Sequence, residues 1–203
     1  LISWVKETFL PSLEMILSGD GCGEQNEAIK KNVMIARSNF IRKMDDICDE
    51  KPEIVRYFAY GSNILAKQME DRLPGLYFKF MGIARLDGFA FAFNKVSKKD
   101  NNTGKANICP EKDAYVLGAI YEMEKTALQV LGNFEGGYDL QKLNALYFVG
   151  KEETAFCANA FIATRNLEER SPSEKYVNDI RKGMIERSFP VAYMKNLFWA
   201  CEK

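Results

Sequence analysis

Apolar residues recur in steps of three and four at both ends of the chain, and in runs or alternation through its middle. Trp4, Val5, Phe9, Leu13, Ile16 and Leu17 fall at helix-like spacing, which breaks at Ser18-Gly19-Asp20-Gly21-Cys22-Gly23. A second stripe, Ile29, Val33, Ala36, Phe40, Met44 and Ile47, predicts a helix over residues 25–47, closed by Pro52. Residues 1–53 therefore read as an N-terminal helical extension, most simply a hairpin. From Val55 the texture changes. Val55–Tyr60 is a short apolar run ending at Gly61, as expected of a buried strand, and Asn63–Arg72 fits a helix stopped by Pro74-Gly75. Tyr77–Arg85 and Phe89–Asn94 read as strands around an Asp87-Gly88 turn. Ala106–Ile108 and Tyr115–Met123 read as further strands, residues 125–131 as a helix, and Leu146–Val149 and Ala155–Ala163 as strands around a turn near Gly150. Ser171-Pro172-Ser173-Glu174 has capping-box spacing with Pro at the first helical position, predicting a helix to about Arg187, and Pro190 opens the last helix. Central strands with flanking helices predict an α+β domain over residues 54–203, built on a small mixed β-barrel-like sheet.

Composition narrows the function. The chain has 203 residues, 47% of them hydrophobic, enough for a sizeable core. Lys plus Arg balances Asp plus Glu at 28 each, so no overall field favours nucleic acid or an anionic membrane. No apolar run approaches the roughly 20 residues of a membrane-spanning helix. Five widely spaced cysteines without a CxxC read as reduced thiols, which predicts a cytoplasmic protein. The chain contains no histidine. That excludes Ser-His and Cys-His nucleophile pairs, the HExxH zinc site and any His-ligated metal centre. Proton transfer must fall to Glu, Asp, Lys, Tyr or Cys.

Three places carry candidate chemistry. In Tyr57-Phe58-Ala59-Tyr60-Gly61-Ser62-Asn63 an apolar strand runs into a Gly-Ser-Asn turn and then a helix. Glycine lets the backbone approach a ligand, Ser62 and Asn63 are able to cap the helix, and the free N–H groups of such a turn suit a carboxylate or an oxyanion. An ordinary strand-to-helix turn has the same spacing. In Leu131-Gly132-Asn133-Phe134-Glu135-Gly136-Gly137-Tyr138 a carboxylate lies between an aromatic ring and two glycines, just past a helix end. It reads either as a partly desolvated general base or as a solvated residue beyond a helix C-cap. Tyr176 offers a hydroxyl to a ligand or a ring to the core. Gly19–Gly23 follows a helix and lacks Lys-Ser/Thr, so it is a turn and not a nucleotide loop. Lys95, Lys98, Lys99 and Lys105 form a modest basic cluster that reads as a solvated loop.

Taken together these blocks resemble the γ-glutamylcyclotransferase family, whose fold also includes the AIG2-like proteins. The Tyr57–Asn63 stretch resembles the family's signature loop, and Met69 with Asp71-Arg72-Leu73-Pro74 follows at its spacing. Gly82–Leu86 with Phe89, Phe93 and Asn94, then Ala106–Pro110 and Val116–Tyr121, continue in order. Leu131–Gly136 resembles Leu-Asp-x-x-Glu-Gly, with Gly132 where the family usually has Asp, and Ser173–Tyr176 with Gly183–Pro190 resembles its C-terminal helices. The match covers residues 54–195. It implies a cofactor-independent cyclisation of a small-molecule γ-glutamyl amino acid or amine to 5-oxoproline. It also implies Glu135 as acid/base, with Tyr57, Phe58, Ala59, Tyr60, Gly61, Ser62, Asn63 and Tyr176 as substrate-binding residues. No nucleic acid, membrane or metal enters this reading. Tyr-Gly-Ser-Asn favours the γ-glutamyl amino acid branch over the glutathione-directed Tyr-Gly-Ser-Leu branch. The alternatives are a cyclotransferase for a glutathione-like or isopeptide substrate, and a non-catalytic ligand- or protein-binding module on the same fold. The N-terminal helices lie outside the resemblance and offer a surface for a homodimer or another partner.

Overall fold

The computed structural model describes residues 52–97, 102–149 and 152–198. The expected N-terminal helices, the Gly19–Gly23 turn, Lys98 and Lys99 lie outside these residues. The remainder forms one compact unit, an α+β barrel, as the residue pattern predicts. Its elements in chain order are β1 (Ile54–Ala59), a 3-10 turn (Ser62–Ile64), α1 (Ala66–Arg72), β2 (Phe78–Ser97), β3 (Thr103–Glu124), α2 (Lys125–Gly132), β4 (Asp139–Val149), β5 (Glu152–Ile162), α3 (Glu174–Glu186) and α4 (Val191–Phe198).

The sheet closes in the order β1-β3-β2-β4-β5. Neighbours are antiparallel except where β1 meets β5 at Tyr57 and Asn159 in parallel. Asn159 reinforces that seam by donating to the Arg56 carbonyl at 3.0 Å. Tyr57, Phe58 and Ala59 are all buried, so β1 is covered on both faces, which explains its unbroken apolar run. The Phe58 ring packs against Gly118 of β3, where a Cβ would lie 2.5 Å from its Cζ.

The strand pairs are longer than the turn signals predict. Asp87-Gly88 is not a hairpin turn: β2 runs through it from Phe78 to Ser97, with Gly88 at φ +77°. Opposite, β3 passes from Pro110, paired with Phe89, to Tyr115, paired with Asp87, so four residues of β3 stand against Gly88 and the bulge lies on β3. One long hairpin thus replaces the shorter strands, because a local Asp-Gly has the same composition at a register break as in a turn. β4 likewise begins at Asp139 and not at Leu146.

Two helix starts also differ. The Ser171 carbonyl accepts the Gly104 N–H at 3.1 Å, and the Ser173 carbonyl accepts the Val177 N–H at 3.1 Å. α3 therefore begins after Ser173, with no side-chain cap, so the predicted capping box is not formed. Ser62 and Asn63 do not cap α1 either. They form a 3-10 turn, and α1 starts at Ala66, whose N–H reaches the Glu186 carboxylate at 3.3 Å.

That contact belongs to a clamp that positions the site. Gly183 of α3 meets the turn so closely that a Cβ would lie 2.5 Å from the Leu65 nitrogen. From the barrel side the Tyr121 hydroxyl donates to the carbonyls of Asn63 and Ile64, at 3.1 and 3.2 Å. The turn after β1 is thus gripped between a helix and the barrel wall.

Candidate active site

The end of β1, the 3-10 turn, the exit of α2 and the first turn of α3 converge on a small chamber of about 30 Å³. That is room for roughly two waters. Tyr57, Tyr60, Gly61, Ser62, Asn63, Glu135 and Tyr176, all named from the sequence, line it together with Ala106, Tyr138 and Phe161. Phe58 and Ala59 do not. Phe58 faces the opposite side of β1 over Gly118, so strand alternation removes it from the candidate binding set, and Ala59 is wholly buried in the core.

Asn63 organises the chamber and is almost fully buried. Its Oδ1 accepts from Arg72 Nη1 at 2.7 Å and from Gln68 Nε2 at 2.8 Å. A guanidinium can only donate, so it defines which end of the amide faces it. The Nδ2 then donates to the Tyr57 hydroxyl at 2.8 Å and to Glu135 Oε1 at 3.0 Å. Arg72 Nη1 also donates to Glu135 Oε1 at 2.8 Å. The side chains of Arg72 and Glu135 are 22% and 16% exposed, so this ion pair is partly shielded from solvent. The Arg72 guanidinium further stacks on Phe134, 5.1 Å from the ring centre. Both bonds to the carboxylate fall on Oε1, which leaves the lone pairs of Oε2 for a ligand.

Glu135 itself is held by backbone. α2 ends at Gly132, whose carbonyl accepts the Glu135 N–H at 3.1 Å, and the Glu135 carbonyl accepts the Tyr138 N–H at 3.0 Å. A Cβ on Gly132 would meet the Phe161 ring at 3.6 Å, an ordinary contact, so the glycine is not required there by space.

The rest of the chamber is tyrosine. The Tyr60 hydroxyl donates to the Phe161 carbonyl, and the Tyr138 hydroxyl donates to the Ala106 carbonyl at 2.7 Å. The Tyr176 hydroxyl accepts the Ala106 N–H at 3.2 Å and shares a hydrogen bond with Ser62. Burial pushes Tyr176 up to about 12, and burial also raises Tyr57, Tyr60 and Tyr138, with the Glu135 charge adding to each. These phenols stay neutral across the physiological range. Gly61 keeps the entrance open: a Cβ there would lie 3.2 Å from the Ala106 Cβ and 3.4 Å from the Tyr176 hydroxyl.

Ser62, Glu135, Tyr138 and Tyr176 also line a larger groove of about 1060 Å³, so chamber and groove share a boundary. Sequence reasoning assigned no role to Gln68, Arg72 or Tyr138. The signal for the first two was present, since Gln68 and Arg72 are four apart and so share a face of a short helix. That the face turns back onto Asn63 is a property of the 3-10 turn. Among the described residues no group of acidic or cysteine side chains is arranged to hold a metal ion. No described helix is long and apolar enough to cross a membrane.

Fold and site together define a barrel that brings one carboxylate against a glycine turn. No family model matches the chain. Its sequence is 30% identical to human γ-glutamylcyclotransferase over 159 residues, covering 75% of this chain and 81% of that protein. Identity to the bovine enzyme of the same name is 29% over 156 residues, covering 75% and 82%. A solved γ-glutamyl cyclotransferase structure superposes with a TM-score of 0.63 at 28% identity, over 71% of this chain and 86% of that one. YkqA of Bacillus subtilis shares the fold, with a TM-score of 0.61 at 19% identity over 77% of this chain and 57% of that one. The chain belongs to the γ-glutamylcyclotransferase family.

Proposed function

We propose that the protein cyclises a γ-glutamyl amino acid to 5-oxoproline and releases the amino acid, with Glu135 carrying the proton. The supporting observation is the shared chamber: the Glu135 carboxylate and the Gly61-Ser62-Asn63 turn face the same small space. The substrate's α-amine attacks its own γ-carbonyl carbon. A C–N bond forms within the new ring, and the C–N bond to the departing amino acid breaks. The α-ammonium must first give up a proton, because only the free amine has a lone pair. Glu135 Oε2 takes that proton and returns it to the departing nitrogen; the second proton, which the ring nitrogen sheds once the new bond has formed, follows the same route, so the amine leaves as an ammonium and the carboxylate ends as it began. Acid/base help of this kind is worth about 10²–10⁴-fold. Arg72 and Asn63 hold Oε1, which leaves the carboxylate no freedom to turn away. The turn at Gly61 receives the substrate carboxylate or the developing oxyanion. The reacting end would lie where the chamber opens into the groove, held bent against Glu135, which is the proximity a ring closure needs. The departing group extends into the groove.

The test is turnover of γ-glutamyl dipeptides by wild type and Glu135→Gln. The variant keeps size and hydrogen bonding but not basicity, and 5-oxoproline release should fall by about 10²–10⁴-fold while the substrate still binds. Near-normal turnover would remove Glu135 from the reaction. A wild-type protein that binds γ-glutamyl compounds without turnover would favour the binding-module alternative.

A further inference from the structure

We infer that Gln68 is a positioning residue, which orders the hydrogens of Ser62 and Tyr176 so that one hydroxyl of the pair is left to donate to the oxygen of the reacting γ-carbonyl; the inference rests on the proposed cyclotransferase reading. Asn63 Oδ1 faces Arg72, which can only donate, so this end of the amide accepts. The Gln68 atom 2.8 Å from Asn63 Oδ1 is therefore the nitrogen of its amide. The second hydrogen of that nitrogen goes to Ser62 Oγ, also at 2.8 Å. Gln68 and Arg72 are about one turn apart on α1, so a single helix face fixes both the Asn63 amide and the Ser62 hydroxyl.

Ser62 and Tyr176 both line the chamber and share one hydrogen bond. Among the described residues, the bonds that reach this pair from outside are donations to it. Gln68 Nε2 gives to Ser62, and the Ala106 N–H gives to Tyr176 at 3.2 Å. Two hydroxyls hold two hydrogens. One is spent between them, in whichever sense that bond runs, and the other is left for a ligand in the chamber. Burial pushes Tyr176 up to about 12, so its hydrogen stays in place at neutral pH. The neighbouring phenols differ. Tyr60 and Tyr138 donate to the carbonyls of Phe161 and Ala106, so their hydrogens are committed to the backbone.

A donor without a protein acceptor suits an oxygen that gains charge. When the α-amine adds to the γ-carbonyl carbon, an electron pair of the C=O bond moves onto the oxygen, and it returns as the departing amine leaves. A hydroxyl already aimed at that oxygen binds it more strongly as the charge grows. What Gln68 supplies is the direction of the chain. Gln68→Glu keeps the shape but replaces a donor with an acceptor. Ser62 would then donate to the new carboxylate, Tyr176 would donate to Ser62, and no hydrogen would remain for the substrate.

The experiment is turnover of γ-glutamylalanine by wild type, Gln68→Glu, Gln68→Met, Ser62→Ala and the double variant Gln68→Glu/Ser62→Ala, with circular dichroism to confirm folding. Gln68→Glu should lower kcat by about 10–100-fold and leave KM within about threefold. Gln68→Met removes the bond without reversing it, and should cost less than Gln68→Glu although its shape departs further. In the Ser62→Ala background the Tyr176 hydrogen has no serine to answer, so adding Gln68→Glu there should cost less than about threefold. Near-normal kcat in Gln68→Glu, a change in KM alone, equal losses in Gln68→Met and Gln68→Glu, or an undiminished loss in the Ser62→Ala background would overturn the assignment. A wild type that turns over no γ-glutamyl dipeptide sinks the cyclotransferase reading instead. The hydrogen is then read by calorimetric binding of 5-oxoproline, whose ring carbonyl takes the place of the γ-carbonyl. Affinity should fall by about tenfold in Gln68→Glu but not when the same change is made in Ser62→Ala, and equal or undetectable affinities would overturn the assignment.

Discussion

The chamber and the groove share four residues but differ in how their polar groups are held. In the chamber, the Asn63 side chain alone engages Tyr57, Glu135, Gln68 and Arg72, and its backbone is gripped by Tyr121. In the groove, lysines rest on the outer faces of Tyr138 and Tyr176, and the space is wide. A network in which each partner constrains the next holds one geometry, which suits a reaction needing a carboxylate at a defined atom. Flexible ammonium groups on aromatic surfaces accept ligands of varied shape that share a charge. On the proposed function, changes in the chamber should alter turnover of every substrate alike.

Beyond the loss expected at Glu135, the largest effect should come from Gly183→Ala. Its Cβ would press on the Leu65 nitrogen and the Ile64 carbonyl carbon, which are backbone and cannot swing aside. The turn must shift, with destabilisation of about 1–3 kcal/mol in a denaturant titration. Displacement of about an ångström at the turn should cost about 100-fold in turnover. If activity holds at normal levels, the clamp does not set the geometry. Arg72→Met comes next. It leaves Glu135 Oε1 and Asn63 Oδ1 without a charged donor, so kcat/KM should drop by about 10–100-fold for all substrates alike. Arg72→Lys should recover only part of this, because an ammonium lacks the planar fork. A loss confined to some substrates would instead place Arg72 with the groove, which it also lines.

The smallest effect is on stability alone and appears only in alkali. Burial raises the folded-state value of Tyr176 to about 12, above the usual phenol value of about 10. Its contribution is therefore fully present below pH 10 and is lost as pH climbs toward 12, because the unfolded chain ionises first. The two-unit gap corresponds to about 2–3 kcal/mol. Urea midpoints at pH 8 and pH 11 should separate more in wild type than in Tyr176→Phe. An equal separation in both proteins would mean that Tyr176 is not shielded as described.

Much of the candidate site was legible because it lies in short contiguous stretches. Tyr57–Asn63 and Leu131–Tyr138 each join an apolar element to glycines and a polar group; their spacing alone fits an ordinary turn or helix end, and it was the resemblance of these contiguous runs to a family that marked them. Arg72 and Gln68 were not read as site residues, because their face of α1 points at Asn63 only once the 3-10 turn has set the helix axis. Phe58 and Ala59, which the resemblance implied as binding residues, do not line the chamber: Phe58 packs against Gly118 on the other face of β1, and Ala59 is buried in the core. Lys95 and Lys105 looked like loop charges because a bulge leaves no compositional mark.

Residue order was therefore sufficient for the class of fold, because hydrophobic period and turn chemistry act over a few residues at a time, while the glycine turn and the carboxylate took their expected roles from the family resemblance. Pairing and packing settled the rest: Asp87-Gly88 as part of a continuous strand opposite a bulge of β3, the helix start after Ser173, the Arg72–Glu135 pair and the pairing of Lys95 with Lys105. Each of these joins residues distant in the chain or depends on a register. A register is chosen by the burial of whole strands, and no single segment encodes it.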